Sequence, residues 1–224
     1  MPISMSNELL EIVLLSLRVS GVALLISSLT GIPVGAFLGL RRFTGRRLLV
    51  ALMYTGMGFP PVVIGLFVYL LLSNSNPLSR LDLPFLPALF TPEAMILAQS
   101  IIAFPLVAGF SMAAVMAVDP QVRLQVRSLG ATERQTVLAI LSEARLGVLV
   151  SVIAGFGGII SEVGAVMLVG GNIAGRTRVL TTAIVLETRK GNFEMALALG
   201  FVLLGLAFIA NLVMLRLQGR SIEE

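Results

Sequence analysis

Long apolar runs separated by short polar segments dominate the chain. Five of these runs reach the length of about 20 residues that a helix needs to cross the hydrocarbon core of a bilayer. They lie near residues 14–40, 48–72, 93–118, 146–169 and 194–217. The pattern predicts an all-α membrane protein with five transmembrane helices, forming a single transmembrane domain over residues 1–224.

Composition narrows the classes of function. The chain is 57% hydrophobic and 12% charged, whereas soluble domains are about 45–50% apolar and about 25% charged, which excludes a purely soluble enzyme. Cys and His are absent, which excludes disulfides and metal sites built on thiolate or imidazole. The single lysine, Lys190, precedes Gly191, so the chain lacks the phosphate-binding motif of P-loop ATPases. We expect a protein that is not an enzyme by itself and has no cofactor or metal of its own.

The distribution of basic residues predicts the orientation of the helices. Ten lie in the segments after the first and third runs and in the C-terminal tail, against five in the other loops. Because cytosolic loops carry the excess of Lys and Arg, we expect the N-terminus outside, the C-terminus inside and residues 119–145 in the cytosol. The same bias explains the net charge of +4 without nucleic-acid binding. The larger set is Arg41, Arg42, Arg46, Arg47, Arg123, Arg127, Arg134, Arg145, Arg216 and Arg220, and the smaller is Arg80, Arg176, Arg178, Arg189 and Lys190.

Small residues and prolines indicate how the helices pack. Gly31, Gly35 and Gly39 recur every fourth residue in the first run, which lets a second helix approach closely. Pro60 and Pro61 interrupt the second run and predict a kink there, because proline lacks the N–H that a helix interior needs.

The segment 119–145 has the features of an ordered loop. Asp119 is a favourable N-cap, and the helix that follows is predicted to end near Leu129, where Gly130 suits a left-handed C-cap. The run from Thr132 to Gln135 matches a capping box, which predicts a second helix directly afterwards. We therefore expect two short helices rather than a flexible linker.

The first of these helices has two distinct faces. Val122, Val126 and Leu129 share one face, and Arg123 and Arg127 lie one turn apart on another. Like charges at this spacing repel each other weakly, and a partner or an anionic lipid would offset this repulsion. Two interpretations stay open: an interfacial helix among lipid headgroups, or a docking element for a second protein.

The loop resembles that of the permeases of ATP-binding-cassette (ABC) importers, which carry the pattern E-A-A-x-x-x-G-x9-I-x-L-P. Gly130 matches the glycine and Ile140 the isoleucine, and the stretch Arg127-Ser128-Leu129-Gly130-Ala131 is similar to the core of the motif. Leu124-Gln125-Val126 stand in place of E-A-A, and Ser142-Glu143 in place of Leu-Pro.

Five further segments resemble the oxyanion branch of this family. The run from Pro60 to Gly65 is similar to the P-P-x-V-x-G of molybdate and sulfate permeases, and Ser161–Ala165 with Gly170–Ile173 is similar to their G-E-F-G-A and G-G-N-I. The runs Thr177–Ile184 and Glu187–Asn192 resemble the tungstate permeases. The resemblance covers roughly residues 10–217.

The resemblance implies a type I ABC importer permease with N-out, C-in topology in a prokaryotic cell membrane. Two such chains pair and bind two cytosolic ATPase subunits, which hold ATP and Mg²⁺, while an extracytoplasmic binding protein delivers the oxyanion. Tungstate is the first candidate, with molybdate and sulfate as alternatives. The implied coupling residues are Val122, Arg123, Val126, Arg127, Leu129, Gly130 and Ala131.

Five residues are candidates for the translocation path or its gate: Pro60, Pro61, Glu162, Asn172 and Thr177. Glu162 is an acid inside the fourth predicted span, where a carboxylate must face protein or water. Because a bare carboxylate repels a dianion, a structural hydrogen-bonding role is the favoured alternative. For Asn172 and Thr177 the alternative is capping of the chain near the outer ends of the helices. A passive channel or a scaffold is the competing class of function.

Overall fold

The computed structural model describes residues 2–73 and 86–217, and all regular structure in these two stretches is helical. Arg80 and Arg220, which the charge count includes, lie outside the described residues. The ten helices in the described residues are α1 (Pro2–Leu40), α2 (Arg46–Met57), α3 (Pro61–Leu72), α4 (Pro92–Ala117), α5 (Pro120–Ser128), α6 (Glu133–Glu143), α7 (Arg145–Ile160), α8 (Gly164–Gly170), α9 (Leu180–Arg189) and α10 (Phe193–Leu217).

The expected all-α fold is confirmed, and the five predicted crossings agree with the upper number of candidate spans in the described residues. Three helices, α1, α4 and α10, are each long and apolar enough to cross a bilayer, and two bent pairs reach that length together. The pair α2–α3 bends by 103° and the pair α6–α7 by 64°. Five crossings result when each bent pair is taken as one span.

The second span bends far more sharply than a kink. Pro60 is extended, with φ −61° and ψ 123°, and precedes Pro61 at the first position of α3. A residue before proline avoids the helical conformation, because its backbone clashes with the proline ring. The chain therefore leaves α2 at Gly58 and restarts in a new direction.

The fourth predicted span, residues 146–169, is not one continuous helix. Its bent pair covers α6 and α7 and ends at Ile160, and residues 161–163 break the helix before α8 begins. Glu162 accordingly lies in this break between two helices. Apolar residues stand on both sides of the break, at Ile159 and Ile160 and again from Val163 onward, so the hydrophobic run as a whole concealed it.

The packing of α1 on α4 confirms the role inferred for the three glycines. A Cβ on Gly35 would collide with the carbonyl oxygen of Ala108, and one on Gly39 would lie 2.9 Å from Cγ1 of Val115. A Cβ on Gly31 would lie 3.2 Å from the nitrogen of Ala108. The missing side chains therefore let two membrane helices come into backbone contact, where dispersion forces hold them together.

Charged groups gather at the two ends of α1. Near its start, Arg178 donates to Glu8 at 3.0 Å. Just after its end, Arg41 lies 3.7 Å from Glu133 of α6. Because the 33 residues between Glu8 and Arg41 rise about 50 Å along a helix, the two clusters lie on opposite sides of a bilayer-sized layer. This separation agrees with the predicted alternation of loops between the two sides.

Candidate functional site

The loop between α4 and α6 is built as its capping residues predict. The Asp119 carboxylate accepts from the backbone N–H of Gln121 at 2.8 Å, and α5 follows from Pro120. Gly130 ends it with φ +84°, and its N–H donates to the carbonyl of Arg127 at 3.0 Å. A left-handed residue at this position turns the chain sharply away from the helix axis.

The second helix of the loop begins in the expected capping box. The hydroxyl of Thr132 accepts from the N–H of Gln135 at 3.3 Å, and the side chain of Gln135 accepts from the N–H of Thr132 at 2.8 Å. An ion pair between Arg127 and Glu133 joins α5 to α6 across the turn. The two short helices therefore form one connected unit.

Two leucines of this loop, one in α5 and one directly after it, are exposed. Leu129 is 87% exposed and Leu124 is 61% exposed, whereas Val122 and Val126 are half-buried. The residues of the predicted apolar face therefore differ in exposure: Val122 and Val126 are half-buried by the rest of the protein, and Leu129 is exposed. Leu124 was missed by the sequence reasoning, although an apolar residue in place of the first acid of the E-A-A motif was a visible signal.

The remaining coupling candidates also lie together on this loop. Arg123 is half-buried, and its Nε has no hydrogen-bond partner among the described residues. Ala131 is half-buried, and Gly130 is exposed with no heavy atom within 4 Å of a built Cβ. We call α5 together with residues 129–131 the docking loop, after the contact with a second protein that the family resemblance implies. The loop carries exposed leucines and arginines.

The two interrupted segments of the chain are in contact with each other. Helix α3 packs on α8 so closely that a Cβ on Gly65 would collide with Cα of Ala165, and one on Gly164 would collide with Cγ2 of Val62. Pro60 and Pro61, at the start of α3, therefore come near the break that contains Glu162.

Glu162 forms hydrogen bonds within this break. Its side chain is buried, and Oε1 accepts from the N–H of Ala165 at 2.9 Å, in the first turn of α8. Its backbone carbonyl accepts from the hydroxyl of Thr181 at 2.9 Å. These bonds support the structural role that was weighed against a role in the path.

Thr177 and Asn172 lie beyond the other end of α8. The hydroxyl of Thr177, fully buried, donates to the carbonyl of Gly170 at 2.5 Å and accepts from the N–H of Ile173 at 3.0 Å. This is the capping role that the sequence offered as the alternative. Asn172 has φ +52°, and its buried Oδ1 has no partner among the described residues.

The nearby turn between α9 and α10 is held by charge. Glu187 accepts from Lys190 at 2.7 Å and from the side chain of Asn192 at 3.0 Å. The hydrogen bond from Lys190 holds the pKa of Glu187 below its usual value, with a smaller contribution from Asn192. Gly191, with φ +78°, completes this turn.

Similarity to known proteins identifies the family. The family described as "Binding-protein-dependent transport system inner membrane component" matches residues 31–222. The chain belongs to this family of permeases. The resemblance drawn from the loop motif and the oxyanion segments is therefore confirmed, and so is the membrane location.

Several relatives of the permease match over almost its full length. It is 42% identical to the "Probable anion ABC transporter permease protein" of Haloferax volcanii, over 95% of this chain and 92% of that one. It is 38% identical to the "Tungstate uptake system permease protein TupB" of Peptoclostridium acidaminophilum, over 96% and 92%. It is 30% identical to the "Molybdenum transport system permease protein ModB" of Escherichia coli K12, over 91% and 90%.

Two solved structures share the fold of the permease. A bacterial ABC transporter for alginate import aligns with a TM-score of 0.71 and 21% identity, covering 93% of this chain and 79% of that one. An amino acid ABC transporter aligns with a TM-score of 0.65 and 18% identity, covering 96% and 92%. The expected type I importer permease fold is thereby confirmed.

One functional candidate of the permease was missed in the sequence. Gln99 is 3% exposed inside α4, and its amide donates to the carbonyl of Ile159 at 2.9 Å, close to the break before α8. Its Oε1 is buried without a partner among the described residues. A single amide in an apolar span was the signal, since such groups seldom enter a membrane helix without a polar partner.

Proposed function

We propose that the permease is the membrane subunit of an ATP-driven importer for a tetrahedral oxyanion, with tungstate as the first candidate cargo. The observation that carries this proposal is the 38% identity over 96% of the chain to a tungstate uptake permease. A second tungstate uptake permease, from Campylobacter jejuni, is 36% identical over 79% of the chain. Molybdate and sulfate are the alternative cargoes.

In the proposed importer, two permease chains surround the path and each docking loop binds one ATPase subunit. The exposed leucines of the loop supply apolar contact, and its capped ends keep α5 rigid enough to transmit a displacement. ATP and Mg²⁺ belong to the ATPase subunits. Closure of the ATPase pair moves the two docking loops together and opens the path to the outside, where a binding protein delivers the anion.

The proposed path residues maintain the backbone conformation at the breaks between helices. They do not bind the anion through charged groups. A tetrahedral dianion is repelled by the carboxylate of Glu162, so this group serves the protein and not the anion. On the outer side, Arg176 and Arg189 supply positive potential that attracts an anion to the mouth of the path. Selection among oxyanions falls mainly to the binding protein.

Uptake by intact cells tests the proposal. Deletion of the gene is expected to lower cellular tungsten at nanomolar external tungstate, and expression of the unchanged chain restores it. Mass spectrometry of the cell metals measures both. Unchanged tungsten together with a fall in an amino acid or a metal cation would reject the oxyanion assignment.

A second measurement separates an importer from a passive channel. In liposomes that contain the permease, its ATPase and the binding protein, tungstate uptake should require ATP and the binding protein. Omission of either component is expected to stop accumulation against a gradient. Accumulation that proceeds to equilibrium with the permease alone would support a channel instead.

A further inference from the structure

A cavity of about 360 Å³ opens beside the docking loop. The ends of α1 and α4, the starts of α2 and α5, and Ile140 of α6 line it. Three of its lining side chains are arginines, Arg42, Arg46 and Arg123, and one is the carboxylate Asp119. We name this space the basic cavity.

The positive charge of the basic cavity is not neutralised within the described part of the chain. Asp119 already accepts from the N–H of Gln121 as an N-cap, and none of the ion pairs recorded among these residues joins it to an arginine. Arg42 has no recorded hydrogen bond or ion pair to the described residues. The Nε of Arg123 is buried without a partner among them.

Among the described residues, the guanidinium group of Arg46 uses some of its donors within the chain. Arg46 donates from Nε to the carbonyl of Leu38 at 2.7 Å, which caps the end of α1, and its Nη2 lies 3.4 Å from the sulfur of Met116. Further N–H donors of the three arginines remain for a ligand, since each guanidinium carries five. Arg42 is exposed, whereas Nε of Arg123 is buried without a partner among the described residues. An unpaired buried donor is unfavourable, so an acceptor bound at Arg123 would stabilise the cavity.

We propose that the basic cavity binds an anionic group of phosphate-like, tetrahedral oxyanion chemistry. Guanidinium groups match such an anion with paired N–H donors in a fixed plane. Two sources present this chemistry at the predicted cytosolic face: the phosphodiester of an anionic phospholipid and a free oxyanion in the cytosol. Basic cavities between membrane helices on that side are suited to lipid headgroups.

The surroundings of the basic cavity offer apolar surface for an acyl chain. Phe37 and Phe43 pack with their ring centroids 5.3 Å apart at the end of α1, and they are 53% and 37% exposed. Met116, which lines the cavity, is 56% exposed. A headgroup among the arginines would therefore have exposed apolar side chains close by.

Occupancy of the basic cavity would fasten the docking loop to the membrane-embedded helices. Arg123 belongs to α5, whereas Arg42 and Arg46 follow α1, so one bound anion contacts both parts. This inference does not rest on which cargo the permease transports. It predicts that the anion content of the membrane or the cytosol adjusts the position of α5.

Native mass spectrometry of the permease in its complex with the ATPase tests the proposal. After removal of bound lipid, the complex is titrated with phosphatidylglycerol, with zwitterionic phosphatidylethanolamine and separately with inorganic phosphate. Phosphatidylglycerol should bind and phosphatidylethanolamine should not. Arg42→Gln should weaken anion binding about fivefold, as expected for one arginine at a headgroup, and Arg42→Lys should retain part of it.

Arg47→Gln is the matched control, because it removes the same charge one residue after Arg46 and does not line the cavity. It should bind anions as the unchanged complex does. Thermal unfolding with and without the anion gives a second readout, since a ligand of the folded state raises Tm. The rise should be lost in Arg42→Gln and kept in Arg47→Gln.

The outcomes separate the two sources and leave the proposal open to refutation. Binding of phosphatidylglycerol that free phosphate does not displace identifies a lipid headgroup site. Binding or displacement by free phosphate identifies a site for soluble oxyanions. Equal losses in Arg42→Gln and Arg47→Gln would show a general surface-charge effect and overturn the proposal, as would the absence of anion binding to the unchanged complex.

Discussion

The backbone at Gly130 is left-handed, with φ +84°, and a Cβ there would meet no heavy atom within 4 Å. The requirement for glycine is therefore conformational and not steric. A β-branched residue in this conformation is strained by about 1–2 kcal/mol. The turn between α5 and α6 depends on this residue, because its N–H and that of Ala131 satisfy carbonyls at the end of α5.

We expect Gly130→Val to leave the chain inserted in the membrane, to weaken its hold on the ATPase and to abolish transport. The strain tilts α5, which carries the exposed leucines of the docking loop. Co-purification of the ATPase and tungstate-stimulated ATP hydrolysis in liposomes measure the effect. Gly191→Val is the matched control, with φ +78°, no heavy atom within 4 Å and a place at the other end of the molecule. Full ATPase binding and transport by Gly130→Val would exclude the loop as the coupling element.

Substitutions of Glu162 can distinguish whether the protein needs the negative charge of this side chain or only its hydrogen bond. Its Oε1 accepts from Ala165 at 2.9 Å, and a glutamine carbonyl can accept the same bond. We expect Glu162→Gln to retain transport and Glu162→Ala to lose it, with about 1 kcal/mol of stability removed by the lost cap. Uptake and thermal unfolding are measured together. Loss of transport in a stable Glu162→Gln protein would show instead that the charge itself is required.

At the scale of elements, ion pairs join α6 to the docking loop and to the end of α1. Arg127 pairs with Glu133, and Arg41 lies 3.7 Å from the same carboxylate. Arg127, predicted to face the ATPase, therefore also has a partner within the chain. An exposed pair of this kind contributes about 0.2–1 kcal/mol, which is too little to hold the loop alone.

Reversal of the pair separates the two roles of Arg127. Arg127→Glu is expected to weaken ATPase retention a fewfold, which is less than the effect of Gly130→Val, because salt screens one rim charge. Addition of Glu133→Arg restores an opposite-charge pair and should recover loop stability without recovering ATPase retention. Co-purification at low and high salt measures this. Complete recovery in the double variant would assign Arg127 to the internal pair alone.

At the scale of the whole molecule, the two charged ends of α1 make the topology testable. The predicted orientation places the docking loop in the cytosol and the end of α9 outside. Because the chain contains no cysteine, single probes are unambiguous. Ser128→Cys should resist a membrane-impermeant thiol reagent in intact cells, whereas Arg189→Cys should react. Labelling of the probe at residue 128 from outside would show that the orientation is the opposite of the predicted one.

The surface of α10 agrees with a lipid-facing position at the edge of the molecule. Phe201, Leu204 and Phe208 are 71%, 67% and 68% exposed on this helix. Its inner face contacts α9 through residues such as Leu199. Such a broad apolar surface is unfavourable in water and favourable in a bilayer or against a second chain.

The features of this protein that could be predicted from the sequence are those that depend on interactions between residues close together in the chain. The caps at Asp119 and Thr132 bond to groups two and three residues away, so their partners are visible in the sequence itself. The glycine contacts of α1 were predictable as well, because a spacing of four places Gly31, Gly35 and Gly39 on one face. The number of crossings follows from the length of the apolar runs.

The sequence by itself therefore determined the membrane class, up to five crossings and the capped docking loop, since each depends on hydrophobicity or on hydrogen bonds within a few residues. Only the tertiary structure decided the 103° bend between α2 and α3, the break at Glu162 and the basic cavity. The adjacent prolines Pro60 and Pro61 predict where the second span bends but not by how much, and the break and the cavity involve residues far apart in the chain, such as Glu162 and Thr181, or Arg42 and Arg123. Apolar packing is non-directional, so hydrophobic pattern alone does not specify which distant groups meet.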